Sequence, residues 1–100
     1  MLSREFIIEK LREELPFLKK EFGIKKIGIF GSFVSETQNK DSDIDVIVEF
    51  EKPIGLAFMD LADYIEKLFN KKVDILTPEG IRSIRVEKIA QDIKESIIYV

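Results

Sequence analysis

Residues 43–50, Asp-Ile-Asp-Val-Ile-Val-Glu-Phe, alternate strictly, and this run constrains the chain more than any other. Ile44, Val46, Val48 and Phe50 fall on one side of an extended strand, while Asp43, Asp45, Ile47 and Glu49 fall on the other. Period-two patterning of β-branched residues belongs to a strand with one face buried. That strand opens with two carboxylates on the same face, their Cα atoms ~6.6 Å apart at a rise of ~3.3 Å per residue.

The segments around it supply a sheet and its cover. Ile24 to Phe30 is a short apolar run closed by Gly31 and reads as a buried strand. Lys72 to Leu76 is another strand, and Ile97 to Val100 a last edge strand. Ser3 is an N-cap for a helical pattern carried by Ile7, Leu11, Leu15, Leu18 and Phe22. Pro16 interrupts that pattern, so a kinked helix or two short ones are expected, ending at Gly23. Residues 33–42 read as polar and turn-like. Pro53 starts a second helix whose stripe is Ile54, Ala57, Phe58, Leu61, Ile65, Leu68 and Phe69. Thr77-Pro78-Glu79 is an N-cap with proline at the first helical position, predicting a third helix over 79–93. The order is α-β-α-β-α-β-α-β or close to it, a small α/β sandwich. No internal repeat or linker divides it, so a single domain over residues 1–100 is expected.

Composition removes much chemistry. Cysteine and histidine are both absent, which excludes disulfides, thiol nucleophiles, zinc fingers and imidazole acids or bases. A metal would need oxygen ligands, favouring hard ions such as Mg²⁺ or Mn²⁺. The net charge of −3 argues against an extended binder of nucleic-acid backbone. No apolar run approaches a membrane span and no signal peptide opens the chain, so a cytoplasmic location is expected.

Three features remain for chemistry. Gly31-Ser32 directly after a strand lets backbone approach an anion and aims free N–H groups at it, although alone the pair is an ordinary turn. Asp43 and Asp45, taken alone, read first as a solvated strand opening, with a divalent-ion site as the alternative. Asp74 stands inside the apolar strand Lys72-Val73-Asp74-Ile75-Leu76, a costly place for a carboxylate unless that face opens onto a site.

Together these features resemble the nucleotidyltransferase superfamily that includes DNA polymerase β. Ile29-Phe30-Gly31-Ser32, Asp41-Ser42-Asp43-Ile44-Asp45-Val46-Ile47-Val48 and Val73-Asp74-Ile75-Leu76-Thr77-Pro78-Glu79-Gly80 look like the minimal nucleotidyltransferases of HEPN/MNT toxin–antitoxin pairs. The resemblance implies a small polymerase β-like fold, a mixed sheet packed against helices. It implies that Gly31 and Ser32 hold the phosphates of ATP, and that Asp43, Asp45 and Asp74 bind two Mg²⁺ ions. Asp74 would also help deprotonate the acceptor. The implied reaction moves AMP to a hydroxyl, a tyrosine, of a partner HEPN toxin, in a hetero-oligomer without membrane or direct nucleic-acid binding. Phe33-Val34-Ser35-Glu36 departs from the small residue and Arg-Gly that follow Gly-Ser in that family, which leaves open an antitoxin acting by binding alone.

Overall fold

A computed structural model describes residues 3–35, 43–82 and 97–100. Helix α1 (Arg4–Phe22) leads into strand β1 (Ile24–Phe30), and a one-turn helix α2 (Ser32–Ser35) follows. Strand β2 (Ile44–Phe50), helix α3 (Ala57–Phe69) and strand β3 (Val73–Leu76) come next. A short helix α4 (Pro78–Arg82) and strand β4 (Ile98–Tyr99) complete the described elements.

The four strands form one sheet in the order β3-β2-β1-β4. β1 is antiparallel to β2 and to β4, whereas β2 and β3 run parallel with α3 as their crossover. The expected mixed sheet packed against helices is therefore present. Alternation decides which face the helices cover. Ile27 and Ile29 of β1, Ile44, Val46 and Val48 of β2, and Val73 of β3 form one core with Ile7, Leu11 and Leu18 of α1 and Leu61, Ile65 and Phe69 of α3. On the other face Phe30 and Ile47 form a smaller cluster, flanked by Leu76 and Ile97. Asp45 and Asp74 share this second face by register.

Several expectations are corrected. Of the two forms expected for the first segment, two short helices are excluded: α1 is one continuous helix of 19 residues with Pro16 inside it. Pro16 removes its N–H bond to the carbonyl of Arg12, and both residues are exposed, so water can satisfy that carbonyl while Leu11 and Leu18 stay buried. Ser3 caps the helix as expected, its hydroxyl accepting from the Phe6 N–H at 3.1 Å. α3 begins at Ala57 rather than Pro53 because Gly55 lies at φ +59°, outside right-handed helical space. Residues 33–35 are not a polar turn: they belong to α2, and Phe33 is 1% exposed. The third predicted helix is seen as Pro78–Arg82, and its remainder lies outside the described residues.

Candidate active site

The glycine–serine turn and the acids meet at one end of the sheet. β1 finishes where β2 and β3 start, so Phe30 pairs with Asp45 and Asp45 pairs with Asp74. Neighbouring strands lie ~4.8 Å apart, which sets the Asp45 and Asp74 backbones side by side with their carboxylates on one face. Asp43 stands immediately before β2, two residues from Asp45. Sequence separation alone gave no warning that Asp74 arrives beside Asp45. The parallel β2-α3-β3 crossover does this.

Asp74 is exposed while Asp45 and Asp43 are half-buried. The acid inside an apolar strand is thus explained, since its face opens to solvent. Asp45 carries the electrostatic strain of the group. Burial, followed by the charges of Asp74 and Asp43, pushes its carboxyl up from 3.8 to about 6. Like charges this close favour either a shared proton or a cation.

Gly31 is the geometric partner of Asp45. It sits at φ +78°, a left-handed conformation suited to glycine, and a Cβ built there would run into the Asp45 carboxylate. One missing side chain therefore allows both the sharp exit from β1 and the close approach of the acid. α2 starts at the next residue, Ser32. Phe33 anchors this single turn in the main core, and the Val34 N–H donates to the Gly31 carbonyl at 3.1 Å.

Arg4 is a contributor that sequence reasoning missed. Its guanidinium donates to the Val34 carbonyl at 3.0 Å, tying α2 to the start of α1 across thirty positions. The available signal was an arginine in the first turn of a helix, where the macrodipole disfavours a cation unless it serves a contact elsewhere.

The donor set suits Mg²⁺. Only carboxylate oxygens are offered, and their mutual repulsion, visible at Asp45, is what a divalent ion relieves. Among the described residues, no three acidic side chains already form a ready-made cage. Mg²⁺ commonly binds through one or two carboxylates plus substrate phosphates, so an open arrangement of this kind is compatible with it. Asp41 lies outside the described residues. A cleft lined by Phe50, Glu51, Lys52, Pro53, Thr77 and Glu79 lies at the opposite end of β2, away from these acids.

A mixed sheet backed by two helices, with acids and a glycine turn at one end, defines the nucleotidyltransferase class. The chain belongs to the nucleotidyltransferase domain family, which matches residues 8–100. It is similar to the protein adenylyltransferase MntA of Thermococcus cleftensis, with 35% identity over 101 residues, covering 100% of this chain and 98% of that relative. It is similar in structure to a toxin–antitoxin crystal structure with AMP-PNP, at TM-score 0.63 and 25% identity, covering 98% of this chain and 72% of that one. A structure of a tri-AMPylated Shewanella oneidensis HEPN toxin in complex with MNT antitoxin shares the fold, at TM-score 0.54 and 22% identity, over 96% of this chain and 66% of that one. The resemblance to minimal nucleotidyltransferases read from the motifs is thereby established. No helix among the described residues is long and apolar enough to cross a membrane.

Proposed function

We propose that this chain is an antitoxin that transfers AMP from ATP to a hydroxyl, a tyrosine, of a partner HEPN toxin in the cytoplasm. The observation that carries this reading is the register pairing of Asp45 with Asp74, with Gly31 packed directly against Asp45. Relatedness to a protein adenylyltransferase along the whole chain supports a protein as the acceptor.

The site residues divide the work by position. The backbone at Gly31-Ser32 admits the triphosphate, since no side chain at Gly31 blocks its approach. Asp43, Asp45 and Asp74 would hold Mg²⁺, two ions in all, which supplies charge neutralisation at the transferring phosphoryl group and at the departing pyrophosphate. Asp74, exposed beside Asp45, faces the incoming acceptor and takes the proton of its hydroxyl. The hydroxyl oxygen bonds to the α-phosphorus as the bond from that phosphorus to the pyrophosphate oxygen breaks. Asp45 keeps Asp74 from being an isolated acid and fixes its distance to the glycine turn through β1.

Labelled ATP tests this directly. Label at the α-phosphate is expected to reach the HEPN partner, label at the γ-phosphate is not, and Asp45→Asn is expected to abolish transfer. The departure at Phe33–Glu36 motivates one rival, an antitoxin that works by binding alone. Neutralisation of the toxin by Asp45→Asn at wild-type strength, without transfer of label, would establish that rival.

A further inference from the structure

β3 is an edge strand, and its edge is closed in an uncommon way. The Lys72 carbonyl accepts from the Ile44 N–H at 3.1 Å, which points that carbonyl inward to β2. In a parallel ladder the next N–H, that of Val73, then points outward, where no strand follows among the described residues. Val73 is 6% exposed, so an unpaired N–H there would be poorly solvated. The carboxylate of Glu66, from the last turns of α3, fills the gap: its Oε2 accepts from the Val73 N–H at 3.3 Å. The backbone carbonyl of the same residue accepts from Asn70, the left-handed cap of α3, and from Lys71 at 3.2 Å.

Glu66 therefore gathers three N–H groups of the turn that delivers β3 to the sheet. Val73 is the register partner of Ile44, the residue between Asp43 and Asp45, and it immediately precedes Asp74. We propose that Glu66 is a positioning residue: its carboxylate stands in for a missing strand, locks the first residue of β3, and so holds Asp74 in line with Asp45. The inference rests on the proposed role of Asp45 and Asp74 as ligands of the divalent ion. Its physical content is an acceptor at a fixed place, so glutamine, which keeps a carbonyl oxygen there, preserves the function and alanine does not.

The test uses the full chain and three proteins: wild type, Glu66→Ala and Glu66→Gln. Mn²⁺ binding is followed by electron paramagnetic resonance in the presence of AMP-PNP, and the Mg²⁺ dependence of transfer is followed beside it. Glu66→Ala is expected to weaken Mn²⁺ binding about tenfold, with a matching rise in the Mg²⁺ needed for half-maximal transfer, and Glu66→Gln to restore both to near wild type. Melting of each protein without metal reports folding separately. Wild-type Mn²⁺ affinity in folded Glu66→Ala, or a Glu66→Gln as impaired as the alanine variant, overturns the proposal. Should Glu66→Ala fail to fold, amide exchange of Val73 decides. A slow Val73 amide in wild type that exchanges at least about tenfold faster in Glu66→Asp, whose shorter side chain withdraws the acceptor, supports the tether, and an unchanged rate overturns it. Wild-type protein that binds Mn²⁺ through Asp45 and Asp74 but transfers nothing would count against the proposed function and leave the role of Glu66 readable.

Discussion

Two residues carry most of the argument at the smallest scale, Gly31 and Asp45. Replacing Gly31 by alanine forces a side chain into φ +78° and into the Asp45 carboxylate at once. The left-handed conformation alone costs about 1–2 kcal/mol for an L-residue. Displacement of the acid by even part of an ångström adds a catalytic loss, so transfer by Gly31→Ala is expected to fall by about 100-fold in a labelled-ATP assay. Asp45 makes a separate prediction about pH. Its folded-state carboxyl titrates at about 6 against an ordinary value of 3.8, so between these the folded protein holds a proton that the unfolded chain has lost. Stability of the metal-free protein therefore falls as pH rises from about 4 to 6. Because the side chain is only half-buried, solvent screening limits the effect to about 1 kcal/mol. Urea unfolding in a chelator across this window should show the decline, and Asp45→Asn should remove it. Above pH 6 that variant should be the more stable protein without metal, and Mg²⁺ should raise the melting temperature of wild type alone.

Elements differ in how far their sequences announced them. β2 was legible because β-branched residues recur in it at period two, and β1 because a short apolar run ends at Gly31; their antiparallel pairing is what the structure adds. The three acids and the glycine turn were each ambiguous in isolation. Their convergence became readable through the resemblance, while the β2-α3-β3 crossover supplies its physical cause. At α2 a tertiary contact overrode the local signal. Phe33 and Val34 sit among polar neighbours, yet Phe33 is pulled into the core and makes a helical turn of residues that read as a loop. A four-residue helix has no stability of its own. Phe33→Ala is accordingly expected to destabilise the fold by about 3–5 kcal/mol and to release α2. Arg4→Ala removes the tether to the Val34 carbonyl together with an exposed ion pair to Glu5. It should raise the KM for ATP more than it lowers stability, and a KM unchanged in steady-state kinetics would show that the tether is ornamental to binding. Pro16 was read as a kink or a break because its ring and missing N–H disfavour helix, and α1 passes through it unbroken on the exposed side. Proline in a helix interior costs up to about 3 kcal/mol relative to alanine, so Pro16→Ala should raise the melting temperature and leave transfer unchanged.

At the scale of the molecule, one sheet separates two tasks. Its covered face holds α1 and α3 through a core rich in isoleucine and leucine, and Tyr64 of α3 donates to Glu14 of α1 at 2.6 Å to join the two helices at their rim. Its other face carries Asp45 and Asp74 at the end where β1 gives way to Gly31. Stability and chemistry thus rest on alternate residues of the same strands, which is why the alternation of residues 43–50 spoke to both. The proposed function brings the acceptor to these acids on a docked protein. The central claim is that this acceptor is a HEPN toxin and that AMP is what reaches it. Intact-mass spectrometry of the cognate HEPN protein, after incubation with this chain, ATP and Mg²⁺, measures this most directly. The account predicts a gain of one or more AMP groups with wild type and none with Asp45→Asn. An unmodified toxin that nevertheless forms a stable complex with the wild-type protein on gel filtration would contradict it.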